Sequence, residues 1–240
     1  MSPFSPVVTD FWHASFQSDP VLHSDDTFHL AVNPDLEGDR RLMMLQTVDG
    51  MTRVTLTPEL ADRAGITVAQ GISESDFRIG LDNAGIELHG ADNLFYFTDD
   101  ARAALIAQFP AGDVRQLTAQ DETIFRAFES VAPEQDLDEA QVELGHWAVF
   151  GSFDNGRLVA AASMYRWDDG APIMDLGVLT LPTFRGKGHA RRLVRAICRY
   201  AYNHGYDPQY RCQLDNEASA ALAPAAGLTL FGTWDVISPG

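Results

Sequence analysis

Lysine is almost absent from this chain, which has a single lysine, Lys187, among 17 basic residues and 34 acidic ones. The formal net charge is −17 at pH 7. A protein that binds nucleic acid neutralises phosphates with clustered cations. The shortage of basic residues therefore argues against a nucleic-acid partner.

Long apolar runs are also missing. The sequence contains no run of about 18 apolar residues that would predict a transmembrane helix. Its first twenty residues, MSPFSPVVTDFWHASFQSDP, have neither the basic start nor the apolar centre of a secretory signal. We therefore expect a protein that is neither exported nor inserted in a membrane.

Cysteine is scarce, and the two cysteines, Cys198 and Cys212, are too few for a disulfide framework. We expect two reduced thiols and, with them, a cytoplasmic setting. The seven histidines do not recur at the spacing of metal ligands, so no metal is predicted.

The few basic residues are concentrated in one segment. Seven of the 17 fall between residues 185 and 211, whereas the rest of the chain is acidic. One basic segment in an acidic protein indicates a small anionic ligand.

A chain of 240 residues is long enough for one large or two small domains. The segment FPAGDV, residues 109–114, joins a helical pattern to a strand pattern through Pro110 and Gly112, which both favour turns. We predict an N-terminal α/β domain over residues 1–112 and a second domain over residues 113–240. The N-terminal domain is either a degenerate copy of the fold of the second domain or a lid over its acceptor site.

The second half has readable local signals. Thr118 and Asp121 predict a capping box at a helix start, and Asp154-Asn155-Gly156 predicts a hairpin between two apolar strands. Apolar residues recur at helical spacing from Gly188 to about His204. The predicted order is β-α-α-β-β-β-α-β-α-β, a mixed α/β layer around one sheet. The N-terminal half is less legible: we predict a hairpin around Asp49-Gly50 and a helix starting at Thr57-Pro58.

The segment LPTFRGKGHA, residues 181–190, predicts a strand end, a tight turn and a helix start. Because Gly186 and Gly188 lack Cβ atoms, the N–H groups of the turn can approach a ligand closely. Together with the orphan N–H groups of the helix start, they form an anion site suited to phosphate. Arg185 and Lys187 add positive charge. Taken alone, the pattern fits a plain strand-to-helix turn equally well.

Residues 185–190, Arg-Gly-Lys-Gly-His-Ala, resemble the acetyl-coenzyme A (acetyl-CoA) binding motif of the GNAT superfamily of N-acetyltransferases, (R/Q)-x-x-G-x-(G/A). The strand motif that precedes it in that family, x-x-V-x-P-x-(Y/F), is matched by residues 179–184, with Thr180 in place of valine. Residues 216–228 are similar to a second element, N-x-x-(A/S)-x-x-L-Y-x-x-x-G-F, with Ala223 in place of tyrosine. The resemblance covers residues 113–237.

The resemblance implies a GNAT acyltransferase fold, α/β with a mixed (α+β) sheet, preceded by the smaller N-terminal α/β domain. It implies that the backbone of two strand residues pairs with the pantetheine arm of the cofactor. It also implies one acetyl-CoA per chain, because the N-terminal half has no intact phosphate turn. The cofactor-binding residues it implies are Leu179, Thr180, Arg185, Gly186, Lys187, Gly188, His189, Ala190, Arg191, Asn216 and Ser219.

Four arginines of the helix after the turn admit two interpretations. They either raise the local concentration of anions or form a solvated, salt-bridged helix face. Arg191, one turn into the helix, is the one best placed to approach phosphate. The four are Arg191, Arg192, Arg195 and Arg199.

Catalytic residues are less well defined. Acetyl transfer to an amine needs a base, and the family usually supplies a carboxylate. Asp175, on an otherwise apolar strand, is the leading candidate, and the alternative for it is a structural role. Glu143 and His146 are weaker candidates. The N–H of Leu179 or Thr180 is the expected oxyanion donor.

The acid of the family is missing, since Ala223 donates nothing. Either Tyr165 or Tyr210 replaces it, or solvent protonates the thiolate, whose pKa is about 8.5 by analogy with cysteine. A third alternative is that catalysis has been lost.

The sequence therefore predicts an acetyl-CoA-dependent N-acetyltransferase that moves an acetyl group to a primary amine of a small molecule, peptide or protein by direct attack in a ternary complex. The alternative is a catalytically silent acyl-CoA-binding or regulatory module. Dimers are common in the family, so a homodimer is an open expectation. Neither the acceptor amine nor the acyl chain length follows from the sequence.

Overall fold

The computed structural model describes residues 2–66, 72–108, 112–168 and 170–238, and these divide into two compact units. Unit 1 comprises Met1–Val8, Phe95–Arg211 and Ala218–Thr229; unit 2 comprises Thr9–Leu94, Cys212–Glu217 and Leu230–Gly240. The units interleave along the chain, whereas the sequence suggested one boundary between residues 112 and 113. That boundary stays a prediction, and residues 109–111 of the predicted junction lie outside the described residues.

Unit 1 is built on strands in the order β10-β9-β8-β7-β6. The pair β9 and β10 is parallel, and the other neighbours are antiparallel. Its elements are α4 (Asp99–Ile106), β6 (Val114–Leu117), α5 (Glu122–Glu129), α6 (Glu134–Ala140), β7 (Ala148–Asp154), β8 (Arg157–Arg166), β9 (Ile173–Thr180), α7 (His189–Asn203), β10 (Asp207–Gln213, as far as Arg211) and α8 (Glu217–Ala226, from Ala218).

Helices cover both faces of this sheet. Leu179 of β9 belongs to an apolar cluster with Phe125 and Phe128 of α5 and with Val142, which follows α6. The long helix α7 packs against β7, β8 and β9, and its apolar stripe is fully buried. Val149 of β7 belongs to the same cluster as α5, whereas the ring of its neighbour Phe150 lies 5.5 Å from that of Tyr200 of α7. Since neighbouring residues of a strand face opposite sides, α7 occupies the face that α5 and α6 leave open.

Local signals explain why these elements begin and end where they do. Thr118 and Asp121 form the predicted capping box. Asn155 and Gly156 have φ angles of 49° and 78°, as the two central residues of a type I′ hairpin turn require. Gly205, with φ of 82°, ends α7 in the left-handed conformation common at helix C-termini. The predicted order of strands and helices in this half is confirmed.

Unit 2 contains strands in the order β1-β2-β4-β3-β11, with β2 and β4 parallel and the other pairs antiparallel. Its elements are α1 (Pro6–Ser15, from Thr9), β1 (Val21–Ser24), β2 (Phe28–Val32), β3 (Leu42–Thr47), β4 (Thr52–Leu56), α2 (Pro58–Arg63), α3 (Glu74–Asn83) and β11 (Thr229–Val236, from Leu230). The strand β5 (Asp92–Tyr96) runs from this unit into unit 1.

The hairpin of β3 and β4 and the Thr57 cap of α2 agree with the sequence, since Thr57 accepts a hydrogen bond from the Leu60 N–H. The strands β1 and β2 were not predicted, because four or five residues carry too little periodicity. The molecule is of the mixed α/β class, as predicted. Within the described ranges, no helix combines the length and apolar character that a membrane crossing needs.

A close approach between α6 and β9 generates a stability prediction. A Cβ atom added to Gly177 would lie 1.8 Å from the Ala140 carbonyl oxygen, so the backbone would have to move. We expect Gly177→Ala to lower the free energy of unfolding by about 1–3 kcal/mol, measured by urea denaturation. Gly145→Ala is the matched control, since no atom lies within 4 Å of its added Cβ. Equal stability of the two variants would contradict this packing.

Candidate functional site

The glycine turn lies between the end of β9 and the start of α7. A 3₁₀ turn over Pro182–Phe184 follows the strand, and Gly186 and Gly188 have φ angles of 74° and 80°. Only glycine adopts this left-handed conformation at little cost. The first N–H groups of α7 have no partner within the helix, so the turn presents backbone donors at the positive end of a 15-residue helix.

Three basic side chains surround this turn. Arg185 donates from Nε to the Thr180 carbonyl at 3.2 Å and pairs with Asp136 at 2.6 Å. Lys187 is exposed, with Nζ 4.7 Å from the centre of the Phe184 ring. Arg191 is exposed beside Gly188. These side chains are therefore within reach of an anion at the turn.

The side chain of His189 points away from the exposed face of the turn. Its imidazole is buried, with Nδ1 2.8 Å from the Ser152 hydroxyl. Burial and the neighbouring Arg192 lower the pKa of His189, so the ring is neutral at pH 7. Only the backbone N–H of His189 is available to a ligand, and Ala190 likewise offers only its backbone.

Two of the helix arginines are used within unit 1. Arg195 donates to the Ala226 carbonyl and to Gln108 at 2.5 Å each. Arg199 donates to the Gln108 carbonyl at 2.6 Å. Their guanidinium groups bind carbonyl and amide oxygens, so an anion-gathering role fits Arg191 but not these two.

The registers of β9 with β8 and β10 determine which of its backbone groups lie on an unpaired edge. The strands β9 and β10 pair from Ile173 and Asp207 to Leu176 and Tyr210, whereas β9 itself continues to Thr180. The Leu181 N–H and the Ile173 carbonyl bond to the β8 side, so odd-numbered residues of β9 direct their backbone groups to β8. Even-numbered residues direct theirs the opposite way.

This alternation corrects part of the prediction. The Leu179 N–H points to β8, where Leu179 is in register with Ala161, and it is unavailable to a ligand. The residues with backbone groups on the other edge, beyond the last pair with β10, are Val178 and Thr180. Val178 was overlooked because its place on the edge follows from pairing and not from residue type.

A row of polar side chains crosses the α5 and α6 face of the sheet just before this edge. Tyr165 donates to Asp175 Oδ2 at 3.1 Å, and Gln209 Nε2 donates to Asp175 Oδ1 at 3.2 Å. Tyr96 donates through its hydroxyl to the Gln209 side-chain oxygen. The row therefore runs across β8, β9, β10 and β5, and these three hydrogen bonds point towards Asp175, while the Tyr165 hydroxyl also lies 3.4 Å from Gln141 Oε1.

Asp175 is only 3% exposed. Burial raises the pKa of Asp175 above its ordinary 3.8, against the opposing effects of Arg211, Gln209 and Tyr165. Arg211 contacts Oδ2 at 3.4 Å and stacks over the Trp167 ring at 5.1 Å. Asp175 is thus a shielded carboxyl group that is reached through Tyr165.

His146 lies beside this row. Its ring centroid is 4.9 Å from that of Tyr165, and its Nδ1 is 2.8 Å from the Ser163 hydroxyl. Glu143 approaches Nε2 at 3.7 Å. Burial lowers the pKa of His146. The structure therefore brings together Asp175, Tyr165, His146 and Glu143, four of the candidates named from sequence.

Tyr210 is not part of this group. Its neighbour Gln209 contacts Asp175, so the Tyr210 side chain faces the other side of the sheet. It is buried there, 6.3 Å from the Phe95 ring. Of the two tyrosines predicted as a replacement acid, only Tyr165 therefore lies on the face of the sheet that carries Asp175.

The second family element is placed around α8. Ser219 is half-buried within that helix, and the side chain of Ala223 is fully buried. Asn216 precedes the helix in the segment Cys212–Glu217, where its N–H donates to the Gln213 carbonyl at 3.1 Å. Among the described residues, no cluster of three or more histidine, cysteine or acidic groups is arranged to hold a metal ion.

Comparisons with known proteins show which family this region is similar to. Residues 114–227 match the model of the acetyltransferase (GNAT) family. No curated protein matches the chain.

Solved structures give weak similarities. A protein assigned to the GNAT acetyltransferases of Novosphingobium aromaticivorans DSM 12444 is 19% identical, with a TM-score of 0.49 over 64% of this chain and 66% of that chain. A GNAT acetyltransferase from Colwellia psychrerythraea is 16% identical, with a TM-score of 0.49 over 84% and 83%. The aminoglycoside N-acetyltransferase AAC(6')-Iy, solved with CoA, is 25% identical, with a TM-score of 0.38 over 48% and 90%.

The burial of Asp175 predicts a pH dependence of stability. A carboxyl group whose pKa is raised on folding binds its proton more tightly in the folded state, so it destabilises the fold as pH rises through that pKa. We expect the unfolding free energy of the wild type, relative to Asp175→Asn, to increase as pH is lowered from neutrality towards the ordinary carboxyl pKa of 3.8. Urea denaturation across this range measures it, with Asp26→Asn, at an exposed position, as baseline. A difference that falls as pH is lowered would contradict the burial.

Proposed function

We propose, on the premise that residues 114–227 form a domain of the GNAT acetyltransferase family, that this protein transfers an acetyl group from acetyl-CoA to a primary amine. The observation that carries the proposal is the Tyr165–Asp175 hydrogen bond next to the backbone edge at Val178 and Thr180. The proposed proton acceptor and the proposed oxyanion donor lie within a few residues of one another.

The residues around the turn fit the diphosphate of acetyl-CoA. Gly186 and Gly188 have no side chains to cover the backbone of the turn. The N–H groups of His189 and Ala190 lie at the start of α7. Arg185, Lys187 and Arg191 supply charge at the rim.

The open edge of β9 suits the pantetheine arm, whose amides would pair with the Thr180 backbone as an added strand. Acetyl-CoA supplies the thioester carbonyl that the amine attacks. The Val178 N–H is the proposed donor to the oxyanion that forms there, a role worth about 3 kcal/mol in other acyl transfers. Asn216 and Ser219 are proposed as further cofactor contacts on the strength of the family motif.

Proton removal from the amine is assigned to the Tyr165–Asp175 pair. Asp175 is too buried to touch an acceptor, so the Tyr165 hydroxyl receives the proton of the amine as it passes its own to Asp175 Oδ2. Burial and the Asp175 charge raise the pKa of Tyr165, so the phenol stays protonated between turnovers. The same hydroxyl can then protonate the departing thiolate, with solvent as the alternative source. His146 and Glu143 are proposed to line the acceptor side.

The acceptor is proposed to be a small-molecule or peptide amine that is cationic in solution. The net charge of −17 attracts such an amine by electrostatic steering. A cytoplasmic setting and a homodimer remain predictions from the sequence.

Replacing the buried carboxyl group tests catalysis directly. We expect Asp175→Asn to lower kcat by about 10²- to 10⁴-fold, with an unchanged Kd for CoA, because the amide cannot accept a proton. Release of free thiol from acetyl-CoA with a panel of amines measures the rate, and calorimetry measures CoA binding. Tyr165→Phe should lower kcat similarly. Tight CoA binding by the wild type with no turnover of any amine would support the silent module instead.

Replacing Gly188 with a charged residue tests whether the turn binds phosphate. We expect Gly188→Glu to weaken CoA binding at least about tenfold, because a side chain is strained at this φ and a carboxylate repels the diphosphate. Gly205→Glu is the matched control: it has the same kind of φ, 82°, at the other end of α7. Undiminished affinity in a folded Gly188→Glu protein would overturn the proposed phosphate site.

A further inference from the structure

Arg192 is bound on both sides of its guanidinium group. Its Nε and NH2 atoms contact Asp113 Oδ2 at 2.9 and 2.8 Å, and its NH1 donates to the Lys187 carbonyl at 3.1 Å. One planar group thus ties the residue before β6 to the middle of the glycine turn. The flat fork of arginine donors makes such a double contact possible, and a lysine ammonium cannot reproduce it.

The contact with Lys187 has a geometric consequence for the turn. The carbonyl of Lys187 and the N–H of Gly188 belong to one planar, trans peptide group and point in opposite directions. When Arg192 fixes that carbonyl, it also fixes the direction of the Gly188 N–H. A turn with glycines at both sides of Lys187 has little conformational preference of its own, so an external tie decides its shape.

Asp113 is itself held in place. The Ser152 hydroxyl donates to its Oδ2 at 3.2 Å, and its backbone carbonyl accepts from the Phe153 N–H at 2.9 Å. The neutral His189 ring lies 3.1 Å from Arg192 NH2. Burial tends to raise the pKa of Asp113, but Arg192, together with hydrogen bonds from Ser152 and the Asp113 backbone, lowers the pKa below its ordinary value, so the carboxylate is ionised at neutral pH.

We propose that Arg192 and Asp113 form a latch that sets the cofactor turn before acetyl-CoA arrives. Arg192 is then a positioning residue that acts through the Lys187 peptide group, and it does not bind phosphate itself. This inference rests on the proposed function, since it requires the turn to hold the diphosphate.

Two substitutions separate the latch from a simple attraction of charges. Arg192→Lys keeps the positive charge but loses the fork, and Asp113→Asn removes a negative charge near the anion. If Arg192 served only as a cation, the first would be nearly neutral and the second would tighten binding. The latch predicts that both weaken CoA binding about tenfold, the effect of losing one charged hydrogen bond.

Calorimetry with CoA on the wild type and both variants decides between them. Arg126→Lys is the matched control, because Arg126 forms an exposed pair with Glu122 on α5. The ratio of kcat/KM for acetyl-CoA to that for S-acetylpantetheine, which lacks the diphosphate, adds a second readout. The latch predicts that this ratio falls about tenfold, whereas general weakening of the fold would lower both rates and leave the ratio unchanged.

Each result has a distinct meaning. Weaker CoA binding by both variants, with thermal unfolding midpoints close to wild type, supports the latch. An Asp113→Asn protein that binds CoA as tightly as wild type, or more tightly, overturns the latch alone. Absence of CoA binding by the wild-type protein overturns the latch together with the proposed function.

Discussion

The end of pairing between two parallel strands is the constraint on which the site depends. The β9–β10 ladder stops at Leu176 and Tyr210, although β9 continues to Thr180. A strand edge that loses its neighbour must find other partners for its N–H and C=O groups. A ligand that carries amides of its own would satisfy this requirement, and the glycine turn follows only a few residues later.

The strand β9 also carries a buried carboxyl group. Asp175 precedes the point of divergence by one residue and receives hydrogen bonds from both neighbouring strands. The Asp175 carboxylate fixes the orientation of the Gln209 amide, because a reversed amide would turn its oxygen towards the carboxylate, and Tyr96 then donates to the amide oxygen. The polar row is therefore directional, and Tyr165 is its half-exposed end.

Sequence reasoning succeeded where structure is encoded locally. The Thr118 capping box, the Asn155-Gly156 turn and the glycine turn before α7 are each specified by a few adjacent residues. It failed where strand pairing decides the outcome. Residue identity cannot show that Val178, and not Leu179, directs its backbone to the free edge, nor that Tyr210 faces away from Asp175. The pairing of Arg192 with Asp113 joins residues 79 positions apart, beyond any local pattern. These roles in function remain proposals.

The scarcity of lysine has a practical consequence. Lys187 is the only ε-amine in the chain and is exposed in the turn. A reagent that conjugates to amines therefore has one side-chain target, apart from the terminal α-amino group. A fluorophore attached there would lie on the glycine turn, next to the proposed anion site, so a protein of this composition carries a single defined position for an optical reporter.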